Sequence, residues 1–386
     1  MEHMIEPYGG KLIQRLATPS ETEKILSQSD EMPHLRPFAD HIYDAEKICT
    51  GAYSPLDGFM CRNDFEAVLS TGTLSSGLSW TMPIFLSPEK GNSGVLQELN
   101  ASDELLLDDS RGKPFALLKI EEVFHYSREA VARAVYGTTD QAHPNVADLG
   151  AFEETAIGGR LLLLNRLEHG RHELLPNETR ALFEKLGWKH VAAYQARNPP
   201  HTAHEYIQRL TLEREDIDGL FVQPIVGRLK KGDYKTDVIM RAYEAFVSAY
   251  YRSNRVMLGS LSISMRYAGP KAVLFYAIVR RNYGCSHYIV GRDQAGVGNY
   301  YDPYACHRIF DQYDVGVIPL RYEETFYCKI CGVMVSRKVC PHADEFHEST
   351  SQTRIRKLLA EGKAIPPDIL RPEVAEILRS GDVINE

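Results

Sequence analysis

Ten consecutive residues, Gln195-Ala196-Arg197-Asn198-Pro199-Pro200-His201-Thr202-Ala203-His204, gather an amide pair, a guanidinium and two imidazoles around a Pro-Pro turn. An apolar run, Val191 to Tyr194, precedes them, and a helical pattern, Glu205 to Glu215, follows. Spacing i, i+3 on a first helical turn turns His201 and His204 to the same side. Unpaired backbone N–H groups at the start of a helix face that side too and suit an anion such as phosphate. Arg197 adds a planar donor fork just ahead of them. A lone helical histidine is most often a surface or satisfied residue. The joint pattern at a strand–helix junction instead points to a site that holds a polyanion. Attack on a nucleoside triphosphate is the chemistry it suits, because there catalysis is mainly positioning and charge stabilisation.

Three further stretches bear on that chemistry. Gly291-Arg292-Asp293-Gln294-Ala295-Gly296-Val297-Gly298 follows an apolar run, His287 to Val290, and its glycines permit close backbone approach to a ligand. Ser351-Gln352-Thr353-Arg354-Ile355-Arg356 opens a basic helix with hydroxyl groups that suit an N-cap. Cys328-x-x-Cys331 is followed by Cys340, then by His342 and His347. Two cysteines in a knuckle with a later Cys and one of these histidines match a closed, four-ligand zinc site of structural type.

The elements that must position these residues divide the chain. Residues 1 to about 165 carry short apolar stretches, Thr81–Leu86, Glu104–Leu107, Phe115–Ile120 and Leu161–Leu164, separated by turn residues. They read as strands of a mostly antiparallel or barrel-like unit, with a helix over Asn63–Leu69. From Thr179 helix and strand alternate: helices over Thr179–Leu186, Ala203–Leu212, Thr236–Tyr251 and Lys271–Asn282, and strands at Val191, Gly219, Val256 and His287. That alternation predicts a parallel sheet with helices on both faces and a ligand beyond its carboxyl edge. The Gln195 and Gly291 loops both fall at that edge. From about residue 321 the tail carries the cysteine cluster and two helices, Thr353–Glu361 and Pro372–Ser380.

Composition narrows the classes. The chain has 386 residues, 44% hydrophobic and 25% charged, as an ordinary globular protein does. A net charge of −8 argues against broad nucleic-acid binding, which needs a basic surface, yet leaves room for a local cationic pocket. No apolar run reaches membrane-spanning length and the opening residues lack a signal-peptide core, so a cytoplasmic location is expected. An odd count of seven cysteines, three of them clustered, favours metal binding over a disulfide framework.

Together these residues resemble the ATP sulfurylase (sulfate adenylyltransferase) family, within the His-x-x-His nucleotidyltransferases. Ser54-Pro55-Leu56-Asp57-Gly58-Phe59-Met60 is similar to the family's N-terminal signature, Met265-Arg266-Tyr267-Ala268-Gly269-Pro270 to a central one, and Tyr301-Asp302-Pro303-Tyr304 follows the glycine loop as the family's pattern requires. The resemblance implies an α/β protein of three parts. These are a PUA-like β-rich barrel over 1–165, a Rossmann-like nucleotidyltransferase domain over 166–320 and a small zinc-containing domain over 321–386. It implies that Gln195, Arg197 and Ala295 bind sulfate, and that Asn198, His201, His204 and Arg292 meet the ATP phosphates. Gln195 would touch the nucleotide as well, and Gly291, Asp293 and Gly296 would lie near adenine and ribose. The reaction would join sulfate to AMP, giving adenylyl sulfate and pyrophosphate, with Mg²⁺ accompanying ATP, catalysed by Arg197, Asn198, His201, His204 and Arg292. A homodimer or larger homo-oligomer is expected. Four positions depart from the family pattern: Ala196 replaces Thr, Gln294 replaces His, and Ala272 and Tyr276 replace Glu and His. Ala196 and Gln294 leave one alternative, a nucleotidyltransferase acting on another oxyanion; the barrel-like N-terminus and the zinc cluster leave a second, a non-catalytic RNA- or protein-binding module.

Overall fold

The computed structural model describes residues 3–91, 99–230, 232–379 and 381–385. The N-terminal part holds helices α1 (Pro19–Leu26), α2 (Ala39–Cys49) and α3 (Arg62–Thr71). Its sheet is built from β1 (His34–Leu35), β2 (Gly58–Phe59), β3 (Glu104–Asp108), β4 (Pro114–His125) and β5 (Thr155–Leu163), in the order β1-β3-β4-β5-β2. All neighbours are antiparallel except β1 and β3, which are parallel. Gly58 and Gly159 meet across β2 and β5, where a Cβ on Gly58 would stand 1.9 Å from the Gly159 carbonyl oxygen. The Ser54–Met60 signature is therefore a packing feature.

Thr81–Leu86 departs from expectation. It is buried but forms no strand; only Leu86 bridges, to Ile157. Pro83 lacks an N–H for a ladder. The Met82 carbonyl accepts from the Trp80 indole (2.7 Å), and the Ile84 carbonyl from the Met60 amide (2.9 Å). Single partners thus satisfy these groups, and no neighbouring strand is needed.

The central sheet comprises β6 (Val191–Tyr194), β7 (Gly219–Val222), β8 (Val256–Leu258), β9 (His287–Val290) and β10 (Ile318–Arg321). All pairs are parallel, in the order β10-β9-β6-β7-β8. Side chains alternate between its two faces with the period of two that strands impose. Val191, Ala193, Phe221, Tyr288 and Val290 pack with α4 (Pro176–Lys185) and α7 (Pro270–Asn282). Ala192, Tyr194, Leu220, Val222 and Ile289 pack with α5 (Thr202–Leu212) and α6 (Thr236–Tyr250). Helices α8 (Gln352–Ala360) and α9 (Pro372–Arg379) join this second core through Ile355, Val374 and Leu378. Ser380, expected in the last helix, lies outside the described residues.

Helix α7 is apolar nearly all round: ten of its thirteen residues are buried. One side meets the central sheet and the other meets the N-terminal part, where Phe275 makes edge contacts with Tyr53 and Trp80 (ring centroids 5.1 and 5.5 Å). Asn282 donates from its amide to the Ala52 and Ser54 carbonyls. The N-terminal and central parts therefore share one hydrophobic core. A third sheet, β12-β11-β13, is antiparallel and short: β11 (Thr325–Cys328), β12 (Val333–Ser336) and β13 (His347–Glu348). Among the described residues no helix is long and apolar enough to cross a membrane.

Candidate active site

From β6 the chain winds outward through β7 to β8, and from β9 it winds the other way to β10. Between β6 and β9 the strand order reverses, and in open α/β sheets the crevice beyond the carboxyl ends at such a point is where ligands bind. Gln195 directly follows β6 and Gly291 directly follows β9. A cleft of about 340 Å³ opens there. Gln195, His201, His204, Gly291, Arg292 and Gln294 line it, together with Thr325, Ser349, Thr350 and Ser351 from the tail.

The Pro-Pro turn is clamped by the tail. Gln352 donates from its side-chain amide to the Pro199 carbonyl (2.9 Å), and the Thr202 hydroxyl donates to the Asp368 carbonyl (2.7 Å). Ser351 caps α8, accepting from the Arg354 amide at 3.4 Å, as its position in the sequence predicts. His201 is the N-cap residue of α5, and His204 lies in its first turn. Their rings stack with centroids 3.6 Å apart. Burial pushes the His201 imidazole well below its usual value, helped by His204, and pushes His204 down to about 3. Both are neutral near pH 7, and the Nδ1 atom of each is buried without a hydrogen-bond partner among the described residues.

Charge comes from elsewhere. Arg197 hydrogen-bonds the Tyr267 hydroxyl, lies over the Tyr267 ring (4.9 Å to the centroid) and stands 3.9 Å from Asp233. Lys230 Nζ sits 3.6 Å from the centroid of the same ring. Burial, then the nearby Arg197 charge, lowers Lys230 to about 8. Asn198 accepts from Arg356 (3.3 Å), whose guanidinium lies 4.6 Å from the Tyr234 ring centroid. Arg292 faces Glu324 at 3.7 Å.

The glycine loop is held in a compact shape. Asp293 and Ala295 adopt positive φ (52° and 57°). A Cβ at Gly296 would stand 2.2 Å from the Asp293 carboxylate as it lies, so a larger residue there would displace that side chain. The Asp293 amide donates to the Pro303 carbonyl (2.7 Å), and the Ala295 carbonyl accepts from the Gly269 amide (3.0 Å). That last bond joins the loop to the Tyr267-Ala268-Gly269-Pro270 segment beneath Arg197. The two loops are also bridged by side chains. Gly291 donates its amide to Gln294 Oε1 (3.1 Å), Gln294 Nε2 donates to the Tyr288 hydroxyl (2.9 Å), and that hydroxyl donates to Gln195 Oε1 (3.1 Å).

Gln195, His201, His204, Gly291 and Arg292 thus converge on one cleft. Arg197, Asn198, Ala295, Asp293 and Gly296 are not among the residues lining the cleft: the first two lie in the loop that follows Gln195 and the others in the loop that follows Gly291. Sequence reasoning missed Lys230. The available signal was the basic stretch Gly227 to Lys230, which follows β7 at the same sheet edge. Of the departures, Ala272 and Tyr276 are buried within α7. The Tyr276 hydroxyl accepts from the Arg266 amide (2.6 Å), so neither residue lines the cleft.

The cysteine cluster lies beside the cleft wall. His342 Nδ1 is 3.4, 3.3 and 3.5 Å from the Cys328, Cys331 and Cys340 sulfurs, and the Cys331 and Cys340 sulfurs are 3.8 Å apart. A tetrahedral zinc with Zn–S of about 2.3 Å and Zn–N of about 2.0 Å requires edges of roughly 3.8 and 3.5 Å. The donor set therefore fits such an ion. His347 lies just outside it, with Nε2 3.5 Å from the Cys340 sulfur and its ring stacked on Phe326.

An ATP-sulfurylase family profile matches residues 171–381 and a PUA-like domain profile residues 5–166. The chain belongs to the ATP-sulfurylase family. It is 43% identical to a sulfate adenylyltransferase of Pyrococcus abyssi, over 98% of each chain. To one of Cenarchaeum symbiosum it is 44% identical, over 98% of this chain and 97% of the other. Among solved structures it resembles a protein described as a hexameric APS kinase from Thiobacillus denitrificans. The TM-score is 0.77 at 26% identity, covering 97% of this chain and 68% of that one.

Proposed function

We propose that this protein is a sulfate adenylyltransferase, converting ATP and sulfate to adenylyl sulfate and pyrophosphate. The observation that carries the reading is the convergence of the Gln195 and Gly291 loops on one cleft at the strand-order reversal. A sulfate oxygen attacks the α-phosphorus in line, a new P–O bond forms, and the bond to the β-phosphate oxygen breaks. Sulfate is already a dianion, so no general base is needed. The task is to bring two anions together.

In this reading Gln195, Arg197 and the backbone at Ala295 hold sulfate, with Lys230 adding charge over Tyr267. Asn198, His201, His204 and Arg292 meet the triphosphate, whose Mg²⁺ arrives as part of that substrate, and the histidines donate hydrogen bonds as neutral groups. Gly291, Asp293 and Gly296 shape the nucleotide pocket. Cys328, Cys331, Cys340 and His342 hold a structural zinc that pins the wall carrying Thr325. Assembly into a homo-oligomer belongs to the same reading and is checked by light scattering.

Pyrophosphate release from ATP, followed with and without sulfate, tests the proposal. Sulfate-dependent release is the expected result. Release that ignores sulfate but responds to another oxyanion would mean a different acceptor, and binding of RNA without any release would mean a binding module.

A further inference from the structure

We propose that Gln294 and Tyr288 are positioning residues that fix the polarity of the Gln195 amide, so that its Nε2 hydrogens and not its oxygen meet the oxyanion. The inference rests on the sulfate reading of the cleft, but its logic is one of hydrogen-bond direction. A backbone N–H can only donate, so the Gly291 amide must face the oxygen of the Gln294 side chain (3.1 Å). That leaves Gln294 Nε2 toward the Tyr288 hydroxyl, which accepts at 2.9 Å. A hydroxyl has a single hydrogen, and here it goes to Gln195 Oε1 at 3.1 Å. Tyr288 is fully buried, and burial raises its pKa far above neutrality, so the hydrogen stays in place. The Gln195 oxygen is thereby occupied. Among the described residues no partner takes its two N–H groups, and Gln195 lines the cleft. One main-chain amide on the β9 loop thus dictates which end of a side chain on the β6 loop faces the anion.

The relay makes Gln294→Glu an informative change, since the two side chains have nearly the same shape. One carboxylate oxygen still accepts from Gly291, and the other now takes the Tyr288 hydrogen. Tyr288 is left with only a lone pair for Gln195, whose amide turns its oxygen toward the anion. Loss of a hydrogen bond to a charged group corresponds to about a tenfold to hundredfold rise in KM for sulfate. The thermal midpoint stays near that of the parent protein, and KM for sulfate is read at saturating ATP because the new carboxylate faces the triphosphate as well. The added charge also repels an anion, and Tyr288→Phe separates the two effects because it cuts the relay. In that background Gln294→Glu is expected to raise KM several-fold less than in the parent. An equal rise in both backgrounds overturns the relay. Sulfate binding by calorimetry with a non-hydrolysable ATP analogue is measured on the same four proteins. If the parent binds sulfate yet releases no pyrophosphate, the reaction assigned above fails and the binding constants still judge the relay. If the parent binds no sulfate, both fall.

Discussion

Arg197 stands between the Tyr267 ring and Asp233, with Lys230 on the same ring, so two cations share this margin of the Gln195 loop. Replacing Arg197 by Ala removes the planar fork; we expect activity to fall by at least a hundredfold with an unchanged circular-dichroism spectrum. Lys230 gives this margin a pH dependence. The groups acting on it are Arg197, Arg228, Asp233 and Asp148, and burial followed by Arg197 brings it to about 8. Its charge is present below that pH and is lost above it, so KM for sulfate should climb from pH 7.5 to 9. Lys230→Arg should flatten that climb, because a guanidinium stays charged. At this scale the neighbours in the chain announced the histidine pair, which lines the cleft, and singled out Arg197, which does not. The sequence hid Lys230, whose partner Tyr267 lies 37 positions away. It also did not show that burial keeps both histidines neutral, because their burial depends on the packing of segments distant in the chain.

At the scale of elements, the start of β11 and the segment after β13 supply Thr325, Ser349, Thr350 and Ser351 to the cleft lining. His342 completes a tetrahedral donor set, whereas His347 lies beside Cys340. His342→Ala should therefore release the metal and expose residues 325–350 to protease. His347→Ala should retain a full equivalent of zinc by mass spectrometry under native conditions, with weaker hold against a chelator. The spacing of the cysteines announced the knuckle but left two histidines open, because which one reaches the sulfurs depends on the path of the chain between Cys340 and β13. The alternation of helix and strand likewise announced a parallel sheet. The strand order, on which the cleft depends, is set by which crossovers pass on which face, and hydrophobic spacing does not encode that. Thr81–Leu86 shows the opposite failure: its apolar run marks burial, while Pro83 and single hydrogen-bond partners deny it a ladder.

Across the whole molecule, several histidines are held neutral by burial. His41 sits among Phe59, Phe85 and Phe152 and is pushed down to about 3, as is His204, and His201 is pushed well below its usual value. Each has a folded-state pKa below its unfolded value near 6.5, so between about pH 6.5 and 3 the unfolded chain binds more protons. Stability is therefore full above about pH 6.5 and declines as pH falls, by up to roughly 1.4 kcal/mol per pH unit for each such histidine. Thermal midpoints should fall between pH 7 and 5, and His41→Met should make that decline shallower. Helix α7, buried between the sheet and the N-terminal part, carries a different implication. A chain cut near residue 166 would leave α7 with one face bare, exposing Phe275 and its neighbours to water. Separately expressed halves should therefore aggregate alone and recover solubility when produced together, behaving as two fragments of one cooperative unit.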